Sequence, residues 1–527
     1  MNMNTMTELH LVPYPAEVSF TEGSFFLPEE GSFSDKTEDS LYRSCLPETV
    51  RGVCRILPKT EQEGDAPEGS YRLSIRPEGL EIEGTEQGIF YAGQTLRQLL
   101  VQFGGELPCL EIRDWPRFAY RGFMLDSSRH FLPKEDVKKL LDAAAAMKLN
   151  KFHWHLTDDQ GWRIEISKHP ELTGKGARRG RAMFADLPEP EESAGYFSRE
   201  DIREVVSYAA ERFIDIVPEL EIPGHESALL FSCPELRCEN ADGEPKVQIN
   251  GGIFKELLCA GNEKTYPFIE EILDEYMELF PYPYIHLGGD EAVKAHWRSC
   301  PRCQAKMHAL GLKDENAMQQ WMVRYFADYL RKHGRHAVVW NEVLRGEVLP
   351  TDIVVQMWHG DADLGGEFAE RGGRIIHSST DAYYLDYPYF VTDVSKILNF
   401  DPVPEYLKNS EQSVFGIEAP LWTERVVDLD RAAFQLFPRL PAVAERAWSP
   451  EKACGPDTFF SRYTGLQGIL EEMGLRGAPE KYWKISEADK AEEFEEYERI
   501  TKTPHMLRFI EEQERVLQEE IRVYGRF

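Results

Sequence analysis

The residues able to do chemistry fall into short runs. The first is Asp126-Ser-Ser-Arg129-His130, and the second runs from His153-Trp-His155 through Asp158-Asp159 to Trp162-Arg163. Pro218-Glu219-Leu-Glu221-Ile-Pro-Gly-His225 and His286-Leu-Gly-Gly-Asp290-Glu291 follow. Further on come Trp340-Asn-Glu342, Trp358-His359, Tyr383-Tyr384-Leu-Asp386 and Glu418-Ala-Pro-Leu-Trp422-Thr-Glu424. Each run says little by itself. Carboxylates, one arginine and several tryptophans converging on one rim describe a carbohydrate site. Sugars offer flat apolar faces to aromatic rings and hydroxyls to charged acceptors. A rival reading starts from His153 and His155, which share one strand face. With Asp158 or Asp290 they would suit a metal-dependent barrel hydrolase. That reading leaves the tryptophans and the Gly-Gly-Asp-Glu run unexplained. A third reading, an inactive sugar-binding relic, gives no reason to retain Asp290 and Glu291, because burying an unused acid costs stability.

These runs need elements to hold them. From about residue 116, short apolar runs alternate with longer helical patterns, the texture of βα units around a parallel sheet. Candidate strands are Tyr120–Leu125, Lys151–Leu156, Phe213–Pro218, Tyr284–Leu287, His336–Trp340, Ile353–Met357, Arg374–His377 and Val414–Ile417. Between them, helices are expected over Pro133–Leu149, from Ser198 to about Arg212, and over Asn262–Phe280 and Asn316–His333. Eight strands with crossovers make an α/β protein with a (β/α)8 TIM-type barrel, whose working residues stand at the C-terminal strand ends. All the runs above lie at such ends. Residues 1–115 read as a small α+β domain, with a hairpin over Tyr71–Arg76 and Leu80–Glu83 and a helix over Gly88–Gln102. The acidic stretch Thr60–Gly69 reads as a surface loop. Residues 116–480 form the barrel, and 481–527 a helical region that docks one apolar stripe (Phe494, Ile500, Met506, Phe509, Ile510, Val516, Ile521) as a cap. Its many glutamates read as a solvated face.

In this order the motifs resemble the family 20 glycoside hydrolases, the β-N-acetylhexosaminidases. The resemblance rests on His-x-Gly-Gly-Asp-Glu at 286–291, His-x-Thr-Asp-Asp-Gln-Gly-Trp-Arg at 155–163 and Pro-Gly-His at 223–225. Tyr-x-Asp at 384–386 and Ala-Pro-Leu-Trp-x-Glu at 419–424 add to it. It implies an exo-acting enzyme that removes terminal β-linked N-acetylglucosamine or N-acetylgalactosamine with retention, and that needs no metal or organic cofactor. Ordinary retaining glycosidases use two carboxylates about 5 Å apart, and this family is an exception in which the substrate's own acetamido oxygen attacks. Asp290 and Glu291, as sequence neighbours, suit the exception. By resemblance Glu291 is the general acid and later base, Asp290 accepts the acetamido N–H, and Tyr384 donates to the acetamido oxygen. Trp340, Trp358 and Trp422 match the sugar and acetamido walls. Arg129, Asp386 and Glu424 match hydroxyl partners. Asp158 and His225 match a pair that orients the acid. Glu221 departs from the pattern, which usually has Asp two residues before Pro-Gly-His. Arg163 and Glu165 read as a simple salt bridge, and Tyr383 as packing.

Composition narrows the partners. The 527 residues carry 60 Lys+Arg against 91 Asp+Glu, a net charge of −31. Such a surface repels phosphate backbones and anionic lipid, so neither nucleic acid nor a membrane is expected as partner. With 42% hydrophobic and 12% aromatic residues there is material for a large core. The start, MNMNTMTELHLVPYP, lacks a cationic segment followed by an apolar run, so the expected location is the cytoplasm and the expected substrates are short chitobiose-type or glycan fragments. A monomer or homodimer is expected. The nine cysteines read as reduced thiols. Cys300 and Cys303 form a CxxC that Cys238 and Cys259 could complete, but the spacing is unlike a zinc ribbon, and incidental cysteines are the simpler reading.

Overall fold

The computed structural model describes residues 8–28, 45–59, 67–187, 190–451 and 456–527. The 60–66 part of the expected surface loop lies outside them. The N-terminal sheet has five strands: Glu17–Phe26, Cys54–Pro58, Tyr71–Arg76, Gly79–Gly84 and Glu106–Asp114. Tyr71–Arg76 pairs antiparallel with Gly79–Gly84 as a hairpin. The helix Glu86–Phe103 lies across this sheet, capped by the Thr85 hydroxyl, and buries Ile89, Tyr91, Leu96 and Leu99.

Eight parallel strands then close a barrel. In chain order they are Tyr120–Asp126, Lys151–His155, Asp215–Glu219, Tyr284–His286, His336–Trp340, Val354–Met357, Ile375–His377 and Val414–Leu421. Every expected strand is present within about two residues, except that the eighth runs four residues further. That extension pairs with the first strand up to Leu421 opposite Leu125, which delivers Trp422 and Glu424 to the rim. The expected helices appear as Lys134–Ala146, Arg199–Ala210, Thr265–Leu279 and Glu315–Lys332. Ser198 and Asp201 form a reciprocal capping box at the second of these. Among the described residues, no helix is long and apolar enough to cross a membrane.

The two domains join through a buried polar knot. Lys148 Nζ, beside the first barrel helix, donates to Asp114 Oδ2 at 2.7 Å and to Tyr71 Oη at 3.0 Å, both in the N-terminal sheet. It also lies 4.6 Å from the ring of Trp448, in the last barrel helix.

The C-terminal region is two helices, Glu487–Thr501 and Pro504–Tyr524. Their apolar stripe is only partly covered, since Phe494, Ile510 and Ile521 remain exposed. Docking relies on polar contacts from glutamates expected to face water. Glu493 accepts from the backbone N–H groups of Tyr389 and Phe390 at 3.1 and 2.9 Å. Glu520 is buried against Arg298 at 2.7 Å. A carboxylate that accepts backbone N–H groups cannot be told by composition from one facing water.

Candidate active site

The Gly-Gly-Asp-Glu turn is shaped by close packing. Gly288 and Gly289 hold φ of +59° and +103°, values an L side chain resists. A Cβ on Gly288 would stand 1.9 Å from Glu221 Oε2, and one on Gly289 2.5 Å from Val343. Only glycine lets the chain pass there and present Asp290 and Glu291. Glu291 itself has φ +46°, and His225 φ +53°. A non-glycine residue in this region costs on the order of 1–3 kcal/mol, a strain typical of functional turns.

His225 stands at the centre. Its Nε2 lies 3.6 Å from Asp290 Oδ2 and 3.5 Å from Glu291 Oε2. Its Nδ1 faces Asp159 at 3.0 Å and Asp158 at 3.4 Å. Burial works against the charged imidazole, but Asp158 and Asp290 outweigh it and hold its pKa well above the ordinary value. Burial pushes the Asp290 carboxyl well above the carboxylate range, opposed by His225 and reinforced by Glu342 and Glu291. Asp290 Oδ1 has no hydrogen-bond partner within the protein. Glu291 is the more open of the pair, its side chain 25% exposed.

Around these groups lies a cavity of about 510 Å³, lined by Arg129, Trp358, Tyr384, Asp386, Trp422 and Glu424 among others. Trp358 stacks on Tyr384 with ring centres 5.8 Å apart and 18° between planes. The Trp358 indole N–H is fixed by Glu342 at 3.0 Å. Trp340 is fully buried behind Trp358 and Trp422, and its N–H is bound to Glu219 at 2.9 Å. It packs against both of the indoles that line the cavity, at ring-centre distances of 6.4 and 6.3 Å. Arg129 is held by Asp158 at 2.7 Å and Gln160 at 2.7 Å, with its guanidinium 4.8 Å from the Trp422 ring. Burial raises the Asp386 carboxyl to about 7, with Arg425 opposing and Glu424 assisting.

All the remaining expected site residues therefore meet at one rim, but two supports differ from expectation. Asp158 is engaged chiefly by Arg129 and His155, at 2.7 and 2.8 Å, and Asp159 makes the shorter contact to His225. Asp159 also accepts from the Ser227 N–H at 2.9 Å. Its place in the Thr-Asp-Asp run was the signal. Arg163 makes no pair with Glu165. It donates to the carbonyls of Ser128, Ala177 and Gly195 at 2.8–2.9 Å, while Glu165 accepts from the Arg199 N–H at 3.0 Å. The fork of donors on one guanidinium is thus taken up by three backbone carbonyls.

His153 and His155 are committed to carboxylates. His153 Nδ1 pairs with Glu418 at 2.9 Å, and His155 with Glu219 and Asp158. This network in the barrel interior gives both histidines carboxylate partners. Glu221 is buried and neither of its oxygens has a hydrogen-bond partner. Burial, then Asp290 and Glu219, push it well above the carboxylate range.

The outer mouth was not foreseen. Tyr497, Met506, Phe509, Ile510 and Gln513 of the terminal helices line it. The segment after the third strand meets them, with the Ile253 N–H donating to Gln513 at 2.6 Å and His505 bonding Asn250 at 2.9 Å.

A parallel barrel with acids and tryptophans at its C-terminal rim defines a glycoside-hydrolase type of protein. Residues 118–451 match the glycosyl hydrolase family 20 catalytic domain, and residues 8–115 match domain 2 of the same family. The chain belongs to glycosyl hydrolase family 20. A β-hexosaminidase of Porphyromonas gingivalis is 33% identical over 84% of this chain, which spans 61% of that protein. One from Akkermansia muciniphila is 32% identical over 80% of this chain and 88% of its own length. An exo-β-N-acetylglucosaminidase of Vibrio harveyi, solved with N-acetylglucosamine, superposes with a TM-score of 0.79 at 30% identity, covering 90% of this chain and 79% of that one.

Proposed function

We propose that the protein is an exo-acting, retaining β-N-acetylhexosaminidase that releases terminal β-linked N-acetylglucosamine by substrate-assisted catalysis. The observation that carries this is that Asp290 and Glu291 are consecutive and both face His225 Nε2, at 3.6 and 3.5 Å. Two acids joined in this way cannot flank an anomeric carbon as opposed nucleophile and acid. The nucleophile is then the substrate's acetamido oxygen. The N-acetylglucosamine complex of the Vibrio harveyi relative supports the sugar named.

Tyr384 donates to the acetamido oxygen and holds it in line with the anomeric carbon. Asp290 Oδ1 accepts the acetamido N–H. As the oxygen attacks, the glycosidic bond breaks and Glu291 gives its proton to the leaving oxygen. Positive charge then develops on the oxazolinium ring, beside a carboxyl that burial makes costly to ionise in the resting site. The new cation is Asp290's counter-charge, so the attraction is strongest in the transition state. In the second step Glu291 takes a proton from water, which opens the ring at the anomeric carbon. Two displacements leave the configuration retained. Trp358 and Trp422 carry the apolar faces of the sugar, and Arg129, Asp386 and Glu424 meet its hydroxyls.

Aryl glycosides bearing N-acetyl, N-fluoroacetyl and N-trifluoroacetyl groups test the nucleophile. Each added fluorine makes the amide oxygen a poorer nucleophile, so kcat falls steeply along the series. A flat series would contradict acetamido attack.

A further inference from the structure

We propose that Cys238, Cys259, Cys300 and Cys303 form a tetrahedral thiolate site for one structural zinc ion. The spacing argued for unrelated thiols, but the fold gathers the four sulfurs within 4.8 Å of one another. Their separations are 3.8 Å for Cys238–Cys303, 3.9 Å for Cys259–Cys300 and 3.6 Å for Cys259–Cys303. Zinc–sulfur bonds of about 2.3 Å at tetrahedral angles put sulfurs about 3.8 Å apart. A disulfide needs about 2.05 Å, and none of these pairs approaches that. Four sulfur donors in this geometry select a soft ion such as zinc over magnesium or calcium.

The surrounding backbone is built for the same purpose. Cys300 stands at the N-cap position of the helix Pro301–Leu310 and Cys303 in its first turn, so one short turn carries both sulfurs. The Cys259 loop meets this turn backbone to backbone, since a Cβ on Gly261 would fall 2.2 Å from the Arg302 carbonyl carbon. All four thiols are buried.

The location gives the ion something to hold. From Arg237 to Lys264 the chain has no helix or strand. A segment that long needs an anchor to keep one path. Cys238 and Cys259 lie in it, after the third barrel strand. Cys300 and Cys303 follow the fourth. The ion therefore fastens the loop behind His225 to the loop behind Glu291. Leu258 lies between them: its N–H donates to the Pro223 carbonyl at 3.1 Å, and its carbonyl accepts from the Trp297 indole at 3.0 Å. The site stands apart from the glycosidase chemistry and takes no part in it.

Elemental analysis of the full chain, purified without metal-affinity resin or added zinc, tests this. Zinc at about one equivalent per chain, released by a thiol-specific mercurial, is expected. Cys238→Ser and Cys303→Ser should each lose the zinc and melt several degrees lower. Should those variants fail to fold, cobalt exchanged into the wild-type chain gives an independent reading, through sulfur-to-cobalt charge-transfer and tetrahedral d–d bands. Absence of stoichiometric zinc together with absence of those cobalt bands would overturn the site. So would a disulfide among the four cysteines, or iron in place of zinc.

Discussion

Glu291 and Glu221 show how far a carboxylate's role depends on its surroundings. Glu291 is open to the cavity, and in the proposed mechanism it protonates the leaving group. Glu291→Gln should therefore lose roughly 10²–10⁴ in kcat on substrates with poor leaving groups, and much less on activated aryl glycosides. Equal losses on both would remove the acid role. Glu221 has the same functional group in a sealed place. Its carboxyl is raised above the ordinary 4.5, so the folded chain keeps a proton that the unfolded chain releases. Folding then takes up a proton, and this residue's contribution to stability falls as pH rises above that value. Glu221→Gln removes the effect, so Tm should decline less between about pH 5 and about pH 8 than in wild type. An unchanged slope would contradict it. The motif residues were legible because paired glycines, tryptophans and acids rarely fall in this order unless a site requires them. What Glu221 touches was not, because its oxygens pack on Gly288, which is 67 positions away and brought near only by the barrel.

At the scale of elements, the barrel strands were legible because parallel strands buried on both faces read as short apolar runs. The strand ends then followed from the polar residues that interrupt those runs. The eighth strand ran past its expected end because Glu418 and Ala419-Pro420 continue the ladder despite a charge and a proline. Glu418 is accommodated by His153 and Gln356, at 2.9 and 2.7 Å, a partnership no local pattern displays. The terminal helix was legible as a helix but not as a wall of the cavity, since its target is a loop over 250 residues upstream. Phe509 lies in that wall, beside Phe254 with ring centres 5.9 Å apart. Phe509→Ala should raise KM for a disaccharide roughly fivefold, about 1 kcal/mol of contact, while kcat on a small aryl glycoside changes little. Steady-state kinetics on both substrates distinguishes this from a general loss of folding, which would lower both activities together.

For the whole molecule, the joint between domains carries a testable cost. Lys148 and Asp114 are paired at 2.7 Å with side chains 1% and 0% exposed. Removing one member of a buried pair leaves the other uncompensated, typically at about 3–5 kcal/mol. Asp114→Ala should therefore shift the denaturant midpoint strongly and uncouple the N-terminal domain from the barrel. A midpoint within error of wild type would show that the knot contributes nothing. The net charge of −31 leaves this joint untouched and acts outward, an acidic field that disfavours approach of polyanions.

The most direct measurement of the central claim compares the purified enzyme on two aryl β-glycosides, an N-acetylglucosaminide and a plain glucoside, which differ only at C2. Rapid cleavage of the first and no cleavage of the second is the expected result, because only the first brings its own nucleophile to Asp290, Glu291 and Tyr384. Similar rates on both would mean that a protein carboxylate attacks the anomeric carbon, and would contradict the mechanism at its centre.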